Sequence, residues 1–347
     1  MICIFAPAGI GEIAFGTDLV AEIVAAVAAD PSGPLQDGDI VVLTSKVVSK
    51  AEGRYLPAHR RDAAIDDESR GTVARRGPTR ILRTRHGLTL AAAGVDTSNV
   101  ASDSILLLPV DPDASAERLR SGLEERTGKR LGVVISDTAG RAWRIGQTDQ
   151  AIGASGVRVI ERYEGRRDGY GNELQVTAIA IADELAGAAD LVKAKLLGRP
   201  VAVVRGLGHH LVERGSPSPS SPHSPSCADT PSSADPHSAA ADAPYAAASA
   251  TEASSPLPSG DDTRAAALVR DAASDMFRYG SREAVLAAVL AATGQSDRYE
   301  ETLRIPSDDA LVTAVVAGSG RTGPEADLLT DVLRSGLGLR SPSPPAA

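Results

Sequence analysis

A chain of 347 residues and 35.6 kDa is longer than one minimal domain, and its 42% hydrophobic residues suffice for a sizeable core. With only three Phe and one Trp, that core is built mainly from Val, Ile, Leu and Ala, which argues against a reader of single-stranded nucleic acid that works by aromatic stacking. The net charge of −9 is uneven: residues 1–214 hold 28 acidic against 27 basic side chains and 215–347 hold 17 against 9, so a general phosphate-backbone binder is disfavoured.

The opening MICIFAPAGIGEIAFG has no basic region ahead of its apolar stretch. No uncharged apolar run approaches the ~18 residues of a membrane span. Cys3 and Cys227 make neither a disulfide framework nor a metal quartet, which fits a reducing compartment. The expectation is a cytoplasmic protein with no membrane and no nucleic-acid partner.

Residues 2–5 and 40–43 are apolar runs of strand length, and 18–29 reads as an amphipathic helix capped by Thr17 or Asp18. Ala116, Leu119 and Leu123 line one face of a helix that stops near Gly128, and a buried strand follows at 131–135. Residues 175–181 read as a strand, 183–196 as a helix and 201–204 as a further strand. Irregular alternation without internal repeats predicts an α+β domain over 1–214.

Residues 216–260 hold nine of the 22 prolines and thirteen serines, a composition that cannot bury enough apolar surface to offset its ordering entropy. A disordered linker is therefore expected over 215–261. Beyond it, Leu268, Ala272, Met276 and Tyr279, then Val285, Ala288, Val289 and Ala292, recur at helical spacing with Gly280 interrupting. Two short helices and another at 325–333 predict a small helical region over 262–340, ending in a disordered SPSPPAA.

Three segments carry candidate chemistry. In GVVISDTAGRAWRIGQTD, residues 132–149, Asp137, Thr138 and Gly140 follow a buried strand. This reads either as a plain turn or as a carboxylate and hydroxyl offered to Mg²⁺ or Mn²⁺, with Arg141 and Arg144 free to meet phosphates or carboxylates. In DGDIVVLTSKVVSKAEGR, residues 37–54, a helix beginning near Ser45 puts Lys46 and Lys50 on one face; only five of the chain's basic residues are lysines. That face reads as an exposed basic surface or as a nucleotide-phosphate contact. In AAAGVDTSNV, residues 91–100, Asp96 and Asn99 offer a second metal carboxylate and an amide, or ordinary turn chemistry. A phosphate-binding loop is rejected, because Gly122 to Arg130 has five intervening residues and Arg130 where a hydroxyl belongs. GIGEIAFG lacks the dinucleotide spacing, and the adjacent His209 and His210 have no metal-ligand companions.

Taken in order, LTSKVVSKAEGR, AGVDTSNV, GKRLGVVISDTAGRAWRIGQTDQAIGASGV, RRDGYGNELQVTAIAIADELAGAADLVKAK and PVAVVRGL resemble the coenzyme F420-0:L-glutamate ligase family across about residues 1–214. The resemblance implies a GTP-dependent, homodimeric ligase with an unusual α+β fold, two divalent ions (Mg²⁺ or Mn²⁺) and a monovalent cation such as K⁺. It further implies that F420-0 would be phosphorylated on its carboxylate, that L-glutamate would displace phosphate, and that further glutamates would join through γ-linkages. It implies Asp96, Asp137 and Thr138 as metal ligands, and Ile10, Gly11, Glu12, Ile13, Ser45, Lys46, Lys50 and Asn99 as nucleotide contacts. Arg141 and Arg144 are the candidates for substrate phosphate or glutamate carboxylates.

The loop KAKLLGR before Pro200 departs from the family pattern, offering Lys195 and Gly198 where some members carry a further metal ligand. Some relatives fuse the ligase to a flavin-binding domain; LVRDAASDMFRYGSREAV resembles the connection into it, but the stretch that follows is too short, so no FMN is expected. The competing reading, from another class, is a GTP-responsive interaction protein that recruits partners through its helical tail.

Overall fold

The computed structural model describes residues 1–76, 78–142, 144–212, 262–270, 280–337 and 339. In chain order the strands are β1 (Cys3–Phe5), β2 (Ile40–Thr44), β3 (Tyr55–Pro57), β4 (Ser69–Arg76), β5 (Thr79–Thr84), β6 (Thr89–Ala91), β7 (Ser104–Leu106), β8 (Gly132–Gly140), β9 (Gln147–Ser155), β10 (Glu161–Arg162), β11 (Ala178–Ile179) and β12 (Val201–Arg205). The helices are α1 (Leu19–Ala29), α2 (Ser45–Ala51), α3 (Arg61–Asp67), α4 (Pro112–Thr127), α5 (Ile181–Lys193), α6 (Ser281–Ala292), α7 (Tyr299–Leu303), α8 (Asp308–Gly318) and α9 (Pro324–Gly336).

The frame is a mixed sheet in the order β1-β12-β2-β8-β9, with β2 and β8 parallel and the other neighbours antiparallel. Its central strands IVVLT and VAVVR are buried along nearly their whole length, as expected of strands covered on both faces. Alternation divides their side chains. Val41, Leu43, Val133, Ile135, Val201 and Val203 pack beneath α1 and α4, while Ile40, Val42, Val134, Ala202 and Val204 pack against α5.

Local signals fix the covering helices. Asp18 caps α1 by accepting the Ala21 N–H at 3.0 Å, and Asp111 caps α4 through the Ala114 N–H at 3.0 Å. Pro112 opens α4, and Gly128 closes it in the left-handed region at φ 65°. Gly153 in β9 meets the first turn of α4 so closely that a Cβ there falls 2.4 Å from the Pro112 carbonyl oxygen. Asp39, 1% exposed, accepts both Nε and Nη2 of Arg205 at 2.9 Å and ties β12 to the start of β2.

A smaller antiparallel sheet, β4-β5-β6, lies over a second core of Ala64, Ile65, Leu82, Val95 and Ile105. Buried Glu68 pins it to the main body by accepting from Arg54 at 2.8 Å and Arg85 at 2.6 Å. Helices α6, α8 and α9 enclose a third core of Leu286, Leu290, Leu311, Val315 and Leu333. This unit covers the outer edge of β4: the N–H groups of Thr72 and Arg75 donate to Glu300 and Glu283 at 3.0 and 2.7 Å, and the Gly280 N–H donates to the Val73 carbonyl at 2.9 Å.

The stretch 262–270 docks separately on the main body. The Val159 N–H donates to the Asp262 carbonyl at 2.8 Å, and Asp113 accepts the Ala265 N–H at 2.9 Å. Just before the undescribed stretch, the Val212 N–H donates to the Gly156 carbonyl at 3.0 Å.

The α+β class and the helical tail stand as expected from the sequence. The linker expected over 215–261, the SPSPPAA end, and Ala272, Met276 and Tyr279 lie outside the described residues. Three boundaries are corrected. The strand expected at 131–135 continues to Gly140, so Asp137, Thr138 and Gly140 sit in a β-ladder with β9 rather than in a turn. The strand expected at 175–181 shrinks to Ala178–Ile179, and the helix expected at 183–196 runs from Ile181 to Lys193. Among the described residues no helix is long and apolar enough to cross a membrane.

Candidate active site

The candidate residues gather where the parallel pairing of β2 with β8 ends, at Thr44 opposite Ser136. β2 passes directly into α2, which places Ser45 in the first helical turn and puts Lys46 and Lys50 four residues apart. The Ser45 hydroxyl, 2% exposed, donates to Asp137 Oδ1 at 2.9 Å. Lys46 Nζ reaches Asp96 Oδ2 at 2.5 Å and also the Ser98 hydroxyl. Lys50 pairs with Glu12, which lays the loop around residues 10–13 along α2, and the Gly16 N–H donates to the Ala51 carbonyl at 3.0 Å.

Asp96 is delivered by an unusual run of backbone. Ala92, Ala93 and Gly94 all adopt the left-handed region, at φ 50°, 54° and 77°, and alanine pays for that conformation in steric strain. The segment is then fixed by reciprocal hydrogen bonds between Asp96 and Leu106 at 2.9 Å, and the Ser98 N–H donates to Asp96 Oδ1 at 2.7 Å. Asn99, exposed and left-handed at φ 57°, stands at the rim.

The two aspartates differ electrostatically. Burial pushes the Asp137 carboxyl up to about 6; the charges of Asp96 and Asp149 push the same way, against the Ser45 hydroxyl and the Lys46 charge. Asp96 is also penalised by burial, yet Lys46 and the Ser98 N–H outweigh the penalty and hold it below the usual carboxylate range. Asp137 is thus a poorly compensated anion beside a second carboxylate.

That donor set fits a hard divalent cation. Asp96 and Asp137 supply oxygen ligands, and a cation there relieves the repulsion that raises Asp137. Among the described residues no three His, Cys, Asp or Glu side chains converge on one metal position. Two carboxylates with nearby hydroxyls are the kind of set Mg²⁺ or Mn²⁺ takes when water or phosphate completes the shell.

Thr138 faces the other way. Its hydroxyl donates to Asp149 Oδ1 at 2.9 Å, leaving only oxygen lone pairs to offer a cation. Asp149, 4% exposed, also accepts from the Ser136 hydroxyl at 2.8 Å and from Lys193 Nζ at 2.9 Å. Burial opposes its charge, but Lys193 and these hydroxyls hold it below its ordinary value. Neither Asp149 nor Lys193 stands out as a site residue in the sequence. A signal did exist: Leu185, Ala189 and Lys193 share the buried stripe of α5, an unusual place for a lysine.

The remaining candidates are less gathered. Arg141 and Arg144 lie exposed in the β8–β9 connection, where Arg141 Nη2 donates to the Ile145 carbonyl at 3.1 Å, and no contact joins them to Asp137. Ile13 is 3% exposed and belongs to the main core, Ile10 packs partly against that core, and Gly11 and Glu12 face solvent.

The family model for F420-0:gamma-glutamyl ligase matches residues 9–66 and 60–206. The chain belongs to the F420-0:gamma-glutamyl ligase family. It is 42% identical over 192 residues to the coenzyme F420:L-glutamate ligase of Archaeoglobus fulgidus, covering 50% of this chain and 77% of that protein. It is 37% identical over 197 residues to the namesake of Methanosarcina mazei, covering 51% and 77%, and 38% identical over 193 residues to that of Methanocaldococcus jannaschii, covering 50% and 77%. This member of the family is therefore a ligase, and every gathered residue of the candidate site falls within the matched span. Helices α6 to α9 lie beyond it.

Proposed function

We propose that this ligase joins L-glutamate to coenzyme F420-0 with GTP as phosphoryl donor, and then extends the product by further γ-linked glutamates. The observation that carries the reading is Asp137, a poorly compensated carboxylate beside Asp96 and Lys46, just past the point where β2 stops pairing with β8. In the first step a carboxylate oxygen of F420-0 takes the γ-phosphoryl group of GTP, and GDP leaves. In the second the glutamate nitrogen attacks the acyl carbon, a C–N bond forms, the C–O bond to phosphate breaks, and the amine gives up a proton.

Asp96 and Asp137 would hold Mg²⁺ or Mn²⁺, which when bound offsets charge on the transferring phosphoryl group, whereas the Thr138 hydroxyl is turned to Asp149 on the other face of the strand and does not join them at that ion. Ser45 orients Asp137. Lys46 and Lys50 present ammonium groups to nucleotide phosphates, with Asn99 and the loop around residues 10–13 at the nucleotide's edge. Arg141 and Arg144 suit glutamate or substrate carboxylates, and their exposed connection leaves them free to close over a bound anion. K⁺ and a homodimeric arrangement complete the reading, on the family resemblance alone.

The test is mass spectrometry of F420-0 incubated with the purified chain, GTP, Mg²⁺ or Mn²⁺ and L-glutamate. Successive additions of one glutamyl unit, dependent on GTP and absent in Asp137→Asn, are expected. A wild-type protein that binds GTP but adds no glutamate would instead favour the GTP-responsive interaction protein.

A further inference from the structure

We propose that Lys193 and Asp149 form a positioning pair for the site, a clamp that fixes the strand on both sides of Asp137. This rests on the ligase reading for its kinetic test, though not for its binding test.

The geometry is closed. Lys193 Nζ donates to Asp149 Oδ2 and to the Ser136 hydroxyl, both at 2.9 Å. Ser136 passes its own proton to Asp149 Oδ2 at 2.8 Å, and Thr138 donates to Asp149 Oδ1 at 2.9 Å. One carboxylate therefore holds the residues immediately before and after Asp137, from the β9 position paired with Thr138. Ser136 is fully buried, and Lys193 and Asp149 are 5% and 4% exposed.

The ladder itself is weakest at this point. Ile135 pairs with Gly153 but Ser136 pairs with Ala151, so Ile152 is skipped and the register shifts one residue before Asp137. A bulge frees the strand to twist. The Ala151 N–H next to it is taken by Asp183 of α5 at 2.8 Å, and Lys193 ends the same helix, so α5 secures the bulge from two points.

Stability alone is a poor reason for such a pair, because well-packed apolar side chains commonly replace a buried ion pair at no loss. Aim is a better one. With the Ser136 and Thr138 hydroxyls both donating to Asp149, the strand that carries Asp137 is tied down on both sides of it. The arrangement matches what carboxylates behind metal ligands do: fix orientation without touching the ion.

The test uses the full chain carrying Asp149→Asn, with three readouts: the thermal midpoint, the Mn²⁺ dissociation constant by direct titration, and kcat and KM for glutamate addition. Expected are a folded protein, Mn²⁺ binding weakened about 10–100-fold, and kcat lowered with little change in KM for glutamate. Should Asp149→Asn fail to fold, the double variant Asp149→Leu, Lys193→Met keeps the volume apolar and is read the same way. A folded variant with wild-type Mn²⁺ affinity and kcat overturns the proposal. The Mn²⁺ titration needs neither glutamate nor F420-0, so a wild-type protein that binds Mn²⁺ but ligates nothing would mark failure of the ligase reading and leave the clamp to be judged on binding.

Discussion

Two aspartates lie on opposite faces of the central sheet, one on β8 and one on β9, and they meet opposite fates. On the α2 face, Asp137 receives one hydroxyl proton from Ser45 and feels two other carboxylates, and its affinity for a proton rises. On the α5 face, Asp149 receives an ammonium and two hydroxyls, and its affinity for a proton falls. Burial opposes the charge of both; the neighbours of Asp149 overcome that penalty and those of Asp137 do not. One face is finished, with its charge balanced by the chain's own lysine; the other is left short of positive charge, as a site must be if it is to take up a cation and a phosphorylated substrate.

The sharpest way to break this contrast is Asp137→Asn. It removes the unfinished charge while keeping the shape, and ligation should fall by about a thousandfold or more, since several kcal/mol of transition-state charge stabilisation depend on a held metal. Residual activity within tenfold of wild type, measured by glutamyl product formation, would show that the two aspartates are not functionally distinct.

Next in size is Gly153→Ala. A methyl group there drives α4 off the sheet face that carries Asp137, and the expected cost is about 1–3 kcal/mol, read as a lower urea midpoint at unchanged m. An equal midpoint would mean that α4 seats without this close approach.

A pH series on metal-free protein sharpens the electrostatic side. Asp137 holds its proton more tightly when folded than when unfolded, so its charge costs little near pH 4, costs progressively more as pH rises from 3.8 to about 6, and is at its full cost above that. Asp137→Asn never ionises. Its thermal midpoint should exceed that of wild type above pH 6, and the gap should close as pH falls toward 4. Saturating Mn²⁺ should close it too, by stabilising wild type alone. A gap constant across pH would mean that Asp137 is not strained by its charge.

The smallest effect is expected far from either aspartate. Replacing 213–261 with a short Gly-Ser bridge should leave ligation and the thermal midpoint unchanged, because the flanking anchors at Gly156 and Val159 remain.

Much of the Asp137 face was readable in advance, because its contributors carry local signals: a strand that runs into Ser45, lysines at helical spacing, and turn-like residues around Asp96. The Asp149 face was not. Asp-Thr-Ala-Gly reads as a turn in isolation, and only the hydrogen-bonding partners on β9 make it a strand. Lys193 sits on the apolar stripe of α5, but its reason for being there, Asp149, is 44 residues away. The small sheet β4-β5-β6 was equally hidden, since RGTVARR and TRILRT interleave arginines whose partners come from elsewhere. At 175–181 the error ran the other way: apolar residues such as Val176, 79% exposed, suggested a longer strand than the ladder supports.

The chain leaves the ligase domain beside Gly156 and rejoins it beside Val159. Closing a loop costs free energy only as the logarithm of its length, so once exit and re-entry points are neighbours, adding or removing residues between them changes the stability of the domain very little. The docking of 262–270 through Val159 and Asp113 is therefore insensitive to the number of residues that separate it from Val212.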